Sequence, residues 1–396
     1  MDFKLTEEET KRRNGFFNVC RQLEKRQPPN WVDFGHDHYH DDEGWAYHTY
    51  CAKEFAKRGW LSLSWPAEYG GTGTMLDRTF FAEARGYYRI PGVDMQGIQL
   101  LAPTLLEFGT EEQKKEYLPP IAAADVAWCQ LWSEPNAGSD LANVSTTAIR
   151  KGNEYIMNGQ KAWATGAHYA DYGFGLFKTD PNAQPKHRGL SFILLDMKTP
   201  GITIVPYLFM NITHSYNDVF FDDVHVPVEN LLGKENDGWR VTRATANAER
   251  SGLDRIMELT RQLDDLVNYC NETKINGELL AKNPVTRNKL AEMACEIEAA
   301  RTLAYRVAWL QDQNKLSALE ASAIKVAMGD TVQRMAFVGA DILGPYSQLK
   351  YSKWAPLKGY YENAYQIAFS GVIAMGTNEI QRNIIAWAGL GLPRMK

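Results

Sequence analysis

The chain has 396 residues, of which 44% are hydrophobic and 23% charged, so it is long enough for about two or three globular domains. A formal net charge of −5 gives no electrostatic reason to expect nucleic acid as a partner. No apolar run approaches the roughly 20 residues of a membrane span, so we expect no membrane partner.

The N-terminal third of the chain has helical patterns. Thr6 and Glu9 have capping-box spacing and predict the start of a first helix. The acidic N-terminus has no signal-peptide or transit-peptide character, and the cysteines form no Cys-x-x-Cys pair, which together predict a cytoplasmic protein. Further helical patterns occupy residues 43–58, 77–88 and 99–108 and the stretch after Thr110.

The hydrophobic period changes near residue 126. Over about 126–230, short runs rich in β-branched and aromatic residues alternate with Gly, Asn, Asp and Pro, which predicts a small sandwich or barrel. After Gly238 the helical period returns and continues to the end of the chain. Asn283 and Pro284 there predict an N-cap with proline at the first helical position, and a long helix is expected over about 317–344.

Two polar segments of the β-rich region indicate a ligand site. Residues 130–140 form a polar loop tightened by Pro135 and Gly138, whose N–H and hydroxyl groups can face a ring edge and a phosphate. Trp163 and Thr165 are two residues apart, so on a strand they would share one face. A flat ring with polar edges would use both segments, although a core position is the commoner one for a tryptophan.

These segments resemble motifs of the acyl-CoA dehydrogenase family. The loop Gln130-Leu131-Trp132-Ser133-Glu134-Pro135-Asn136-Ala137-Gly138-Ser139-Asp140 is similar to the family's flavin loop, Thr/Ser-Glu-Pro-x-Ala-Gly-Ser-Asp, and the second segment has its flavin-stacking Trp-x-Thr. Further family-like segments, each weak alone, occur in the family's order along nearly the whole chain: Trp65–Gly71, Gly109–Lys114, Phe221–Pro227 and Gly376–Asn383. The resemblance implies dehydrogenation of an acyl-CoA thioester to an enoyl-CoA with FAD.

The resemblance also implies an architecture and partners. We expect a mainly α fold with an N-terminal helical domain at 1–124, a middle β domain at 125–232 and a C-terminal four-helix bundle at 233–396. Electron-transferring flavoprotein is the expected electron acceptor, and a tetramer of identical chains is the expected assembly. The family needs no metal, so we interpret the histidines and aspartates at 36–42 as a solvated loop.

Specific residues take roles by this resemblance. Ser133 and Thr165 should hydrogen-bond the flavin, Trp163 should cover its face, and Ser139 should meet the flavin phosphates or the pantetheine arm. The full expected cofactor set is Gln130, Trp132, Ser133, Ser139, Trp163, Thr165, Thr377 and Glu379. The expected substrate set is Ser139, Asn247 and Arg250. Residues 271–277 replace the family's Arg-x-x-Phe-Gly segment, so the contact to the FAD adenine is unassigned.

The family's usual catalytic base is absent. A glutamate normally precedes the Gly-Thr pair near the C-terminus, but in this chain that position is Met375, whose thioether cannot take a proton. The resemblance implies that the backbone N–H at Met375 still donates to the thioester carbonyl, together with a hydroxyl of the flavin's ribityl chain.

Glu249 is the first candidate for the base. Some family members, including branched-chain and steroid-side-chain types, carry a glutamate at this helix position, directly before an arginine. Arg250 matches the family arginine that contacts CoA. The alternative is a surface glutamate paired with a nearby arginine.

Asp94 is the second candidate. Family members that dehydrogenate cyclohexene-carboxyl thioesters use an aspartate in this region, so Asp94 as base would indicate an alicyclic substrate. The structural alternative is a helix N-cap. A third interpretation is a catalytically silent subunit paired with an active homologue, because Met375 has replaced the usual base.

Overall fold

A computed structural model describes residues 4–29, 31, 32, 37–248, 252–313 and 315–394, with backbone alone at 37, 247 and 248. The chain forms two compact units, each assembled from non-contiguous segments. The helical unit comprises Met1–Asp37, Gly73–Pro91 and Arg250–Lys396, and the sheet unit comprises His38–Thr72 and Gly92–Glu249. The division into three domains at 1–124, 125–232 and 233–396 stays a prediction.

The described residues form helices and strands in the predicted order. The helices are α1 (Glu7–Glu24), α2 (Asp37–His40), α3 (Asp42–Ala56), α4 (Met75–Tyr87), α5 (Ala102–Phe108), α6 (Glu111–Ala122), α7 (Gly238–Ala248), α8 (Leu253–Glu272), α9 (Pro284–Asp312), α10 (Ala318–Leu343), α11 (Tyr360–Ile373) and α12 (Asn378–Ile384). The strands are β1 (Trp128–Leu131), β2 (Thr147–Lys151), β3 (Glu154–Lys161), β4 (Tyr172–Lys178), β5 (Leu190–Asp196), β6 (Ile202–Tyr207), β7 (Tyr216–Pro227), β8 (Leu231–Leu232), β9 (Lys274–Ile275) and β10 (Glu278–Leu279).

The helix starts follow the capping chemistry of the sequence. Thr6 Oγ1 accepts the N–H of Glu9 at 3.2 Å, and Glu9 Oε2 accepts the N–H of Thr6 at 2.7 Å, which completes the predicted capping box of α1. Thr110 caps α6 in the same way, and Asn283 caps α9 with Pro284 in the first turn. These predictions are confirmed. Among the described residues, no helix combines the length and apolar character that crossing a bilayer requires.

The sheet unit contains one eight-stranded mixed sheet. Its order is β6-β7-β3-β2-β4-β5-β8, with β1 pairing parallel to β4. Strands β3 and β7 pair antiparallel, with a register shift between Met157 and Gly159. The inward side chains bury an apolar core that includes Leu131, Tyr155, Phe177, Ile193, Val219 and Val224. This sheet places the 130–140 loop and the 162–166 segment at strand ends.

The core of the helical unit lies among α8, α9, α10 and α11. Gly339 of α10 permits a close approach to α11, because a Cβ at this position would lie 1.8 Å from Cε1 of Tyr361. The turn between α11 and α12 occupies residues 374–377, of which 374–376 are exposed.

Candidate functional site

The 130–140 loop is held by a buried ion pair that sequence reasoning missed. Glu134 Oε1 accepts from Lys161 Nζ and from the N–H of Thr146, both at 2.9 Å. Glu134 Oε2 accepts the N–H of Ser145 at 2.6 Å and its hydroxyl at 2.7 Å. Lys161 Nζ also donates to the carbonyl of Trp132 at 3.2 Å. The loop is therefore fixed on its inner side by charge-assisted hydrogen bonds.

This environment favours an ionised Glu134. Burial alone would raise the pKa of its carboxyl, but Lys161 and the hydrogen bonds from Thr146 and Ser145 lower that pKa to about 2. The side chains are 0% exposed for Lys161 and 4% for Glu134, so water does not screen the pair. Lys161 has the inward parity of β3, shared with Met157, and this alternation is the one sequence signal that could have identified it.

The segment that carries Trp163 is not a strand, so the prediction that Trp163 and Thr165 share a strand face is wrong. Strand β3 ends at Lys161, and Trp163 has a φ of 61°, which is uncommon for a residue with a side chain. The N–H of Ala162 donates to the carbonyl of Ser133 at 2.8 Å. This hydrogen bond brings the two predicted flavin segments together, although Trp163 lies beyond the end of the strand.

Trp163 presents an open aromatic surface. Its indole is 53% exposed, and its ring meets Tyr207 at 5.2 Å and Tyr216 at 5.5 Å, both in edge-to-face geometry. The two tyrosine rings lie nearly perpendicular to the indole plane, and about half of the tryptophan stays exposed. In the same unit, Nε1 of Trp132 is buried and has no hydrogen-bond acceptor within the described residues. An exposed indole and a buried indole N–H without an acceptor in the described residues fit a flat ring with polar edges.

The backbone of the turn after α11 is fixed by hydrogen bonds on both of its sides. Met375 and Gly376 have φ values of 58° and 76°, and Met375 is 43% exposed. Nε2 of Gln381 donates to the carbonyl of Met375 at 3.1 Å, and the hydroxyl of Thr377 accepts the N–H of Ile380 at 3.2 Å. Thr377 thus caps α12, and the turn is fixed although Met375 has no acid–base group.

A buried lysine supports this turn from α10. Lys325 is 4% exposed, and its Nζ donates to Oδ1 of Asn378 at 2.8 Å and to the carbonyl of Val372 at 3.2 Å. Asn378 Nδ2 donates in turn to Asp330 at 2.7 Å. These contacts hold the residues on both sides of Met375.

Asp94 occupies a helix start. Its Oδ1 accepts the N–H of Gln96, and its Oδ2 accepts the N–H of Trp128, both at 3.0 Å. Burial raises the pKa of Asp94 to about 6, against the lowering effect of backbone hydrogen bonds from Gly97, Trp128 and Gln96. Asp94 therefore caps the π-helical turn Met95–Leu101 and ties it to β1.

The structure describes only some of the other expected site residues. Glu249 and Arg250 lie outside the described residues, and of Asn247 only the backbone is described, as part of α7. Ser139 and Glu379 are exposed, and backbone hydrogen bonding at the start of α12 lowers the pKa of Glu379. Gln130 is half-buried in β1.

The interpretation of residues 36–42 as a solvated loop needs correction where they are described. Residues Asp37–His40 form the short helix α2, and His38 is buried and stacks on His48 with ring centroids 4.5 Å apart. His36 lies outside the described residues. Among those described, no three His, Cys, Asp or Glu side chains are grouped to hold a metal ion.

Comparisons with known proteins identify the family. Residues 28–125, 129–224 and 236–390 match the acyl-CoA dehydrogenase N-terminal, middle and C-terminal domains. Acyl-CoA dehydrogenase FadE29 of Mycobacterium tuberculosis is 34% identical over 362 residues, covering 90% of this chain and 91% of the relative.

Solved structures agree with these matches. A chain of the ChsE4-ChsE5 complex from Mycobacterium tuberculosis has a TM-score of 0.88 at 30% identity, with 100% of each chain covered. The Tcur3481-Tcur3483 steroid ACAD has a TM-score of 0.88 at 27% identity, again with 100% of each chain covered. The chain belongs to the acyl-CoA dehydrogenase family, and its enzyme class is flavin-dependent oxidoreductase.

Proposed function

We propose that the protein binds FAD and dehydrogenates an acyl-CoA thioester to an enoyl-CoA, with Glu249 as the base. The observation that carries this proposal is the turn at Met375. It retains a fixed backbone with positive φ, while its side chain offers no proton acceptor. The proton must then be taken by another residue, and Glu249 directly follows α7 at a position where some family members carry their base.

The residues of the chain would divide the chemistry among them. When bound, FAD would accept the hydride that leaves Cβ of the thioester. The Glu249 carboxylate would take the proton from Cα, and the Met375 N–H would donate to the thioester oxygen as negative charge develops there. Among the described residues, this N–H makes no hydrogen bond within the chain. Trp163 would cover the ring face, and Arg250 would bind CoA.

Replacement of the base tests the assignment. Glu249→Gln is nearly isosteric, so FAD content, folding and thioester binding should be retained while flavin reduction slows by at least about a hundredfold. Asp94→Asn is the comparison variant and should slow reduction far less. Met375→Glu on the Glu249→Gln background should restore part of the activity with straight-chain thioesters. Equal reduction rates for Glu249→Gln and the parent chain would show that Glu249 is not the base.

Asp94 defines the first alternative function, an alicyclic acyl-CoA dehydrogenase. The observation in its favour is the pKa of about 6, which is suited to proton transfer near neutral pH. The backbone N–H of Gln96, which Oδ1 accepts, supports the capping role instead. Under this alternative Asp94→Asn would abolish flavin reduction, and ring-bearing thioesters would be the preferred substrates.

The substrate and the assembly are proposed from the relatives and from one exposed surface. One solved relative is a steroid ACAD, so CoA thioesters with a steroid side chain are the first class to test, beside straight, branched and alicyclic ones. Phe337 of α10 and Tyr365, Phe369 and Ile373 of α11 form an aromatic and aliphatic stripe, in which Ile373 is 63% exposed. Such a stripe supports association in a tetramer of identical chains.

A silent subunit in a mixed assembly is the second alternative. The observations in its favour are Met375 and the names of the two solved relatives, ChsE4-ChsE5 and Tcur3481-Tcur3483, each of which joins two names. Purification of the chain alone distinguishes the two cases. A yellow protein bleached by a thioester would refute silence, whereas a folded colourless chain that gains FAD only with a second protein would refute the tetramer of identical chains.

The proposed electron acceptor is an electron-transferring flavoprotein. This proposal rests on the family resemblance and on the sequence, which has no Gly-x-Gly-x-x-Gly fingerprint after a strand. Turnover should therefore require the flavoprotein or an artificial one-electron dye. Fast turnover with NAD alone would contradict it.

A further inference from the structure

One buried residue, Asn217 on β7, makes hydrogen bonds to the backbone of the segment that carries Trp163. Asn217 is 0% exposed. Its backbone carbonyl accepts the N–H of Ala164 at 2.9 Å, and its Nδ2 donates to the carbonyl of Ala164 at 3.0 Å. Both polar groups of the Ala164 backbone are therefore bound by a single residue, directly after Trp163.

Two histidines complete the hydrogen bonding of this amide. Nδ1 of His168 lies 3.0 Å from Asn217 Nδ2, and Nε2 of His214 lies 3.0 Å from Asn217 Oδ1. The two imidazoles stack with centroids 3.8 Å apart. The amide thus makes three side-chain hydrogen bonds, to one backbone carbonyl and two rings.

Only one arrangement of hydrogens satisfies these contacts. A carbonyl oxygen can only accept, so the Asn217 nitrogen must face Ala164, and Oδ1 must face a proton on Nε2 of His214. Nε2 of His168 lies 2.9 Å from the carbonyl of Tyr39, so that nitrogen carries the proton and Nδ1 accepts from Asn217. His168 is therefore neutral, with its proton on Nε2, and Nε2 of His214 carries the proton that Asn217 Oδ1 accepts.

The backbone that this network holds is conformationally demanding. Trp163 has a φ of 61°, and three residues later Gly166 has a φ of 66° and donates its N–H to the carbonyl of Ser215 at 2.9 Å. A non-glycine residue keeps a positive φ only where its surroundings impose it. The bonds of Asn217 to Ala164 impose the chain direction at the residue that follows Trp163.

We infer that Asn217 is a positioning residue of the flavin site: its amide, with His168 and His214, fixes the Trp163–Thr165 backbone in the shape that the flavin requires. The inference rests on the proposed function for the identity of the ligand. A buried asparagine that only completes the core would leave flavin affinity unchanged, so the two roles can be separated by experiment.

The test uses Asn217→Asp in the full chain. Aspartate has the size of asparagine but cannot donate to the Ala164 carbonyl. Asn230→Asp is the matched control, because the Asn230 amide also donates to a backbone carbonyl of the same sheet, that of Leu194 at 2.9 Å. Amide hydrogen exchange over residues 162–168 is measured in the flavin-free protein, and the Kd for FAD is measured by fluorescence titration.

Asn217→Asp should accelerate exchange of the Ala164 and Gly166 amides about tenfold and raise the Kd for FAD about tenfold, which corresponds to about 1.4 kcal/mol. Asn230→Asp should leave both quantities as in the parent chain. Unchanged exchange, or faster exchange with unchanged FAD affinity, would overturn the inference. If the parent chain binds no FAD by itself, the proposed function of the chain alone is wrong, and the exchange rates still show whether Asn217 holds the segment.

If Asn217→Asp does not fold, two variants of His214 test whether the network affects FAD affinity. Glutamine can place its Nε2 where the imidazole has its own, so His214→Gln should keep the bond to Asn217 and the parent affinity for FAD. Leucine cannot donate, so His214→Leu should weaken FAD binding several-fold, by about 1 kcal/mol for a threefold to tenfold change. Equal affinities of the two variants would refute the role of the network.

Discussion

Removal of the Glu134 charge should destabilise the sheet unit strongly. In Glu134→Gln, one oxygen becomes an NH2 group that faces donors, so either Ser145 or Thr146 loses the acceptor for its backbone N–H. Lys161 also loses its counter-charge, although the carbonyls of Trp132 and Leu176 still accept from its Nζ at 3.2 and 2.7 Å. Breaking a buried ion pair costs about 3–5 kcal/mol, and these remaining acceptors favour the lower end, about 3 kcal/mol.

The assay is urea unfolding followed by far-ultraviolet circular dichroism. The control is Glu154→Gln, the same substitution on β3, which breaks an exposed pair with His225 at 2.8 Å. An exposed pair contributes about 0–1 kcal/mol. The double variant Glu134→Gln/Lys161→Met should lose less than the sum of its single variants, because no unpaired buried charge remains.

The same pair predicts a dependence of stability on pH. The pKa of Glu134 is lowered from 4.5 to about 2, so its stabilisation is complete above about 4.5 and is lost as the pH falls toward 2. Glu134→Gln should be less sensitive to pH over this window. If Glu134→Gln unfolds at the same urea concentration as Glu154→Gln, the pair does not hold the loop and the reasoning is refuted.

Three further predictions concern other parts of the molecule. Burial lowers the pKa of His168, so the folded state prefers its neutral form and stability should fall as the pH drops below about 6.5. His168→Asn should reduce this loss of stability, measured by thermal melting at several pH values, while His40, His214, Asp42 and Tyr169 are retained around the site. Lys325→Met removes the donor to Val372 and Asn378 and should lower the unfolding free energy by about 1–3 kcal/mol, measured in urea, with slower flavin reduction. Ile373→Asp places a charge on the exposed stripe, and light scattering should show an assembly smaller than that of the parent chain; an unchanged mass would exclude the stripe from the interface.

Local sequence chemistry predicted the features whose causes are local. Thr6, Thr110 and Asn283 cap helices because the hydrogen bonds involved span only two or three residues. The strands were predicted from short runs rich in β-branched and aromatic residues, separated by Gly, Asn, Asp and Pro. The end of β3 was not, because it depends on where the regular pairing with β7 stops, at Lys161, and on the positive φ of Trp163. Periodicity reports which face a side chain takes and not where pairing ends.

The residues that shape the candidate site were missed for a related reason. Lys161 and Glu134 are 27 positions apart, and Asn217 and Ala164 are 53 apart, so their contacts exist only after the sheet has formed. Sequence motifs identified Trp163 and Ser133, which would face the ligand. They did not identify the side chains behind them, because lysine and asparagine are mostly exposed, and strand parity is the one local signal that indicates a buried Lys161.

The Glu134 and Asn217 hydrogen-bond networks support the segments around the exposed Trp163, as a binding site for a flat ring requires. One face of Trp163 must stay uncovered, so apolar packing on that side cannot fix the segment. Hydrophobic contact is non-directional and tolerates sliding, whereas hydrogen bonds to backbone N–H and carbonyl groups fix both position and direction. Glu134 makes such bonds behind the 130–140 loop, and Asn217 makes them behind Ala164. Burial of an ion pair and an amide costs solvation energy, and in return the hydrogen bonds of both groups fix the two segments in position and direction.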